Sequence, residues 1–199
     1  MNKEFTAISE KQEKTLLLHC CCGPCASACV ERLLEEKRKV VLYFSNSNII
    51  SSEEFEKRVA CVRFLAEKYS LPLVVDPYCH EAWHQYTAAL PDYEKEPERG
   101  RRCTLCFEYS LGRAGEYAEK YGYNFATTLT VSPHKNSRLI FSIGSKYPHF
   151  ECWDFKKKDG FKRSILLSKE FGFYRQDFCG CEFSFTARYA PAAPSAKEV

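Results

Sequence analysis

Short apolar runs alternate with stretches of helical spacing, and this alternation limits the possible folds more than any other feature of the chain. Residues 15–19 (TLLLH), 40–44 (VVLYF) and 73–75 (LVV) read as strands. Ala26, Cys29, Val30, Leu33 and Leu34 recur at helical spacing within residues 26–37. Ser51-x-x-Glu54 resembles a capping box, and Phe55, Val59, Val62 and Ala66 continue the helical period to about Tyr69. Residues 106–121 and 135–146 are predicted to be helical, and the Thr-rich residues 125–131 β-like. Strands alternating with helices predict an α/β fold, a mostly parallel sheet flanked by helices. Residues 76–105 and the segment from Trp153 onward show little periodicity. They are expected to form a loop-rich cap carrying cysteines and aromatics, and long structured loops usually serve function.

The chain has 199 residues, enough for one substantial core. Residues 1–190 are expected to form a single α/β metalloenzyme domain, with residues 1–13 a loose arm and residues 191–199 (PAAPSAKEV) a disordered tail. Fifteen Phe, twelve Tyr and two Trp exclude disorder across the whole chain, because they need somewhere to pack. No apolar run approaches the ~20 residues of a membrane span. The opening MNKEFTAISEKQEK has no apolar stretch of the secretory kind, so the expected location is cytoplasmic. Twelve Cys against one Met is then informative: in a reducing compartment, metal ligation or redox chemistry is favoured over a disulfide framework. The formal net charge of +3 neither requires nor excludes a nucleic-acid partner.

The cysteines cluster in three places. His19-Cys20-Cys21-Cys22-Gly23-Pro24-Cys25 follows the first strand, where ligands of parallel sheets gather. Gly-Pro turns the chain, and a helix N-terminus just beyond would lower thiol pKa values. Cys103-Thr104-Leu105-Cys106 places two sulfurs across a single turn, as zinc and iron–sulfur sites do. Cys179-Gly180-Cys181 can close into a strained, reducible disulfide, although both could equally be further zinc ligands. Four thiolates from Cys21, Cys22, Cys103 and Cys106 suit either Zn²⁺ or a [4Fe–4S] cluster, and spacing does not separate the two. Cys29, Cys61, Cys79 and Cys152 are expected to be small buried hydrophobes, and His19 a satisfied core or turn histidine.

Taken together, LLLHCCCGPC (16–25), FSNSNI (44–49), RCTLCF (102–107), TTLTVSPHKN (127–136), DFKKKDGF (154–161) and YRQDFCGCEFS (174–184) resemble the QueH family, the epoxyqueuosine reductases. Six motifs in order over about residues 15–185 carry the resemblance. It implies reduction of the epoxide of epoxyqueuosine to queuosine in the tRNA anticodon loop, the last step of queuosine synthesis. It also implies a [4Fe–4S] cluster held by Cys21, Cys22, Cys103 and Cys106, with Cys179 and Cys181 as the redox-active pair. Cys25 is a further candidate metal ligand, including for an additional iron. The implied partners are tRNA carrying epoxyqueuosine and an electron donor, with no membrane. Cys20 fills a variable position of the family's HxCC, and Ser47 stands where the family usually has proline.

His19, Asp154 and Tyr174 are candidate proton donors on their chemistry. Arg99, Arg101 and Arg102, and the run Lys156, Lys157, Lys158, Lys162 and Arg163, are candidate phosphate contacts. Phe171, Phe173, Tyr174 and Phe178 could stack on unpaired bases. Two other readings compete: a zinc-stabilised RNA-binding protein without turnover, and a thiol–disulfide enzyme that needs no metal. The pattern is also Rossmann-like and similar to nucleotide-hydrolase-like enzymes that modify tRNA through a loop after the first strand. Residues 21–25 offer only Gly23 where a glycine-rich phosphate cradle would sit, which argues against ATP use.

Overall fold

The structure is a computed structural model and describes residues 14–189; the arm at 1–13 and the tail at 191–199 lie outside the described residues. Four strands, β1 (Leu16–His19), β2 (Val40–Phe44), β3 (Leu73–Val75) and β4 (Asn124–Thr127), form one sheet in the order β3-β2-β1-β4. All three pairings are parallel, so the expected α/β fold with a parallel sheet is borne out. Leu16 and Leu18 enter the core built with Val30, Leu33, Val59 and Val62, whereas Leu17 enters the opposite one with Ala114, Ala118 and Phe125. This is the period-two alternation of a strand covered on both faces. Helices α1 (Gly23–Glu35) and α2 (Ser52–Lys68) cover the first face.

Beyond β3 the chain forms α3 (His80–Ala88) and α4 (Arg101–Tyr121), and α4 covers the second face. Then come α5 (Ser137–Gly144), α6 (Gly160–Glu170), packed along α1, and α7 (Glu182–Tyr189). The cap is therefore more helical than expected, with α3, α6 and α7 arising in segments of weak periodicity. The Thr-rich stretch also differs: β4 ends at Thr127 and a 3-10 turn spans Thr128–Val131. The Thr127 hydroxyl accepts the Leu129 amide at 3.2 Å, a local bond that competes with the strand.

Two details fix the region that matters. Strand order runs from β1 outward through β2 to β3, then returns to β4 on the other side of β1. The carboxyl ends of β1 and β4 thus flank the switch point, where parallel sheets open a crevice. At the start of α1, a Cβ on Gly23 would stand 2.2 Å from Cys61 Cβ of α2, so only glycine permits this approach of the two helices.

Candidate functional site

A cavity of about 880 Å³ opens at the switch point. All three cysteine stretches reach it: Cys21, Cys22 and Cys25 from the end of β1 and the start of α1, Cys103 and Cys106 from α4, and Cys179 and Cys181 from the approach to α7. Arg58, Arg99, Arg102, Lys135, Gln176 and Trp83 line it as well.

Cys22 is the N-cap of α1, with Pro24 in the first turn. The sulfurs of Cys21, Cys22 and Cys25 lie within 4.8 Å of one another, the one group of this kind among the described residues. Hydrogen bonds from Cys21 and Cys25 hold the Cys22 thiol well below its ordinary range despite burial, with Gln176 assisting. Cys21, sharing its hydrogen bond with Cys22, is pushed up to about 12, and Cys25 is raised as well. The three thiols therefore titrate as one interacting group, in which hydrogen bonds favour a first negative charge. The Thr128 hydroxyl receives the Cys21 amide at 3.1 Å and leans on its sulfur at 3.4 Å. Cys20 turns away from the cavity into the core, and its thiol donates to the Leu18 carbonyl at 3.2 Å. Asn46, from the segment after β2, braces the turn by donating to the Cys20 carbonyl at 2.8 Å.

Cys103 and Cys106, three apart on α4, face the same cavity but stand outside the 4.8 Å group. Burial raises both thiols, and the nearby Cys179 adds to the rise. The Cys179-Gly180-Cys181 turn is tied down on several sides. Arg58 Nη1 donates to the Cys179 carbonyl at 2.8 Å, and the Ile50 amide to the Gly180 carbonyl at 2.9 Å. Ser184 Oγ accepts the amides of Cys179 at 2.9 Å and Gly180 at 3.3 Å. Gly180 has φ +147°, a conformation side chains rarely adopt. Burial pushes the Cys181 thiol up to about 11, while Cys179 is exposed. Lys135 is held protonated chiefly by Cys179 and then by the first trio, which makes it the cation common to both cysteine groups.

His19 takes its satisfied role. Its Nε2–H donates to the Ser45 carbonyl at 3.1 Å and its Nδ1 meets the Thr127 hydroxyl at 2.9 Å. Burial pushes its pKa down to about 4, so it is neutral with both ring nitrogens engaged and has no proton to give at neutral pH. Asp154 and Tyr174 do not line the cavity; the Tyr174 hydroxyl donates to Glu54 Oε2 at 2.9 Å. Cys29 and Cys61 are buried as expected, but Cys79 and Cys152 are exposed, which corrects that expectation. Cys79 caps a helix of which only Trp83 and Thr87 are buried, so it has no core to enter.

The basic stretches divide in the same way. Arg163 makes a two-bond pair with Glu31 at 2.7 and 2.6 Å, and Lys156 donates to the Lys135 carbonyl at 2.8 Å. Arg102 stacks on Phe183 at 3.7 Å. Phe171 and Phe173 pack with Phe64 away from the cavity, whereas Phe178 lines it beneath Arg58 at 5.0 Å and joins Phe185 and Tyr189. Sequence reasoning missed Trp83, Lys135 and Gln176. Gln176 and Lys135 lay inside quoted motifs, but an amide and an amine without metal-ligand chemistry gave no reason to single them out.

Residues 16–187 match the family described as Epoxyqueuosine reductase QueH. The chain belongs to the QueH family. Proteins named Epoxyqueuosine reductase QueH are similar along most of its length. That of Haemophilus influenzae is 36% identical over 177 residues, covering 85% of this chain and 71% of the relative. That of Thermotoga maritima is 35% identical over 180 residues, covering 87% and 92%. That of Streptococcus pyogenes serotype M1 is 33% identical over 187 residues, covering 88% and 72%. Among the described residues no helix is long and apolar enough to cross a membrane.

The donor set suits the cofactor that the resemblance implies. The three grouped ligands are all sulfur, without a carboxylate or imidazole among them, and four further sulfurs face the same space. Such sets select zinc or iron–sulfur centres over hard cations. Three buried polar atoms of residues on the wall, Arg58 Nη2, Trp83 Nε1 and Gln176 Oε1, have no hydrogen-bond partner among the described residues, consistent with a site shaped for something further.

Proposed function

We propose that this chain reduces epoxyqueuosine to queuosine in the anticodon loop of tRNA, the last step of queuosine synthesis. The observation that carries the reading is the convergence of seven cysteines from three distant stretches on one cavity in a member of this family. Conversion of the epoxide to an alkene consumes two electrons and two protons and releases the oxygen as water. A dithiol closing to a disulfide supplies that number of each. Cys179 and Cys181 are the proposed pair, with exposed Cys179 meeting substrate and an electron donor restoring the dithiol.

Cys21, Cys22, Cys103 and Cys106 are the proposed ligands of a [4Fe–4S] cluster, and Cys25 is the candidate ligand for an additional iron. When bound, such a centre supplies one-electron transfer and Lewis acidity. A thiolate in the trio at the start of α1 favours capture of a cation, and Lys135 offsets the negative charge of the assembled sulfurs. Arg99 and Phe178 at the cavity wall suit a phosphate backbone and an unstacked base.

Anaerobic purification with iron and acid-labile sulfide quantification, followed by conversion of epoxyqueuosine-bearing tRNA, tests the reading. Iron, sulfide and queuosine are expected; colourless zinc protein without turnover refutes it. Cys179→Ser should keep the iron and lose turnover, and loss of iron in that variant would make Cys179 a ligand instead.

A further inference from the structure

Trp83 is fully buried in α3, yet its indole nitrogen has no hydrogen-bond partner among the described residues. Buried indole N–H groups ordinarily find an acceptor, and an orphan disfavours the fold unless something occupies it. The chain's other indole shows the usual solution: Trp153 Nε1 donates to Glu151 at 2.7 Å. Trp83 is also held firmly in place. His80 stacks on its ring at 5.2 Å and 29°, and Thr87 Oγ1, one turn on, donates to its carbonyl at 3.2 Å. Both Trp83 and Cys106 line the cavity, and α3 packs on α4. Cys106, on the helix against which α3 packs, offers the indole a sulfur acceptor in that same wall.

A neutral thiol is a weak acceptor, whereas a thiolate bound to metal carries charge and accepts well. We propose that Trp83 is a positioning residue whose indole N–H hydrogen-bonds the Cys106 sulfur when that sulfur ligates the iron–sulfur centre, and thereby raises the centre's reduction potential. Reduction places extra negative charge on the sulfurs, so a fixed donor stabilises the reduced state more than the oxidised one. The inference rests on the cofactor reading above and assigns a tuning role to a residue that touches neither substrate nor iron.

The test uses anaerobically purified protein, Trp83→Phe, Trp83→benzothienylalanine (which keeps the shape of the indole but lacks N–H) and Trp153→Phe. Midpoint potentials come from spectroscopic redox titration, and iron–sulfur vibrations from resonance Raman spectra in H₂O and D₂O. Both Trp83 variants should retain iron while their reduced-to-oxidised ratio at fixed potential falls about tenfold, or about 59 mV for a one-electron couple. They should also lose a D₂O-sensitive Fe–S(Cys) band that Trp153→Phe keeps. If Trp83→Phe fails to fold, the benzothienylalanine variant decides. Native potential and native D₂O sensitivity in an iron-loaded Trp83 variant overturn the proposal and leave the family reading intact. An unsubstituted protein without an iron–sulfur centre overturns both.

Discussion

Ser184 is one hydroxyl on which the geometry of the Cys179-Gly180-Cys181 turn depends. It is 5% exposed and accepts two amides, those of Cys179 and Gly180. In Ser184→Ala the exposed Cys179 amide turns to water at the cost of an ordinary hydrogen bond, about 1 kcal/mol. Gly180 is buried, so its orphaned amide costs a further ~1–3 kcal/mol. The turn responds by opening, because its other hydrogen bonds among the described residues are one each from Arg58, the Ile50 amide and the Phe185 amide. The lower end of that sum, about 2 kcal/mol of local stability, corresponds to a change of about thirtyfold in the open population. Native-state hydrogen exchange reads this directly. The Ile50 amide, bonded to the Gly180 carbonyl, should exchange about thirtyfold faster in the variant, while amides of β1 keep their protection. An unchanged Ile50 rate, with β1 also unchanged, would show that Ser184 does not hold the turn and refute the reasoning.

Three other outcomes follow from particular contacts. Burial pushes the Glu151 carboxyl up, but Arg38, Trp153 and Asn124 outweigh it and hold the group below the usual carboxylate range. The unfolded chain therefore takes up this proton first: the contribution is full above the ordinary carboxylate pKa and is lost as pH falls through the depressed folded value. Glu151→Gln should cost about 2 kcal/mol near neutrality and flatten the acid limb of a urea-midpoint profile against pH; an unaltered limb counts against the assignment. Gly23→Ala should cost about 1–3 kcal/mol through the clash with Cys61 Cβ. Cys61→Gly should recover part of that loss in chemical denaturation and Cys61→Ala none, because Ala keeps the offending atom. Arg163→Ala should leave tRNA affinity within twofold in filter binding, since Glu31 already occupies that guanidinium, whereas Arg99→Ala at the cavity should weaken it and reduce its salt dependence.

The sheet was legible because its strands are dense apolar runs, and α1 and α2 because their buried faces are Ala, Val, Leu and Phe at clean spacing. The cap was not, for reasons visible in its helices. The buried residues of α6 are Ser164, Leu167 and Ser168, and that of α7 is Ser184, so the packed face reads as polar. In α3 only Trp83 and Thr87 are buried, one pair one turn apart between Pro77 and Pro91. The cysteines announced a site, but not how their sulfurs group. Cys20 and Cys21 are neighbours whose side chains leave in opposite senses, one into the core and one into the cavity, and only the turn after β1 decides which. Trp83 went unmarked because nothing local says that its indole nitrogen lacks a partner.

The place of β1 in the middle of the sheet, with β4 returning beside it, has a bearing on how the cysteine cavity is assembled. The sulfur donors arrive from a loop formed early in the chain, a helix formed much later and a turn near its end, and no local segment carries a complete set. A metal centre built on these sulfurs would then be loaded late in maturation, following the long-range closure of the sheet. Removal of such a centre would strip the pocket without dissolving the scaffold, leaving an apoprotein folded and refillable.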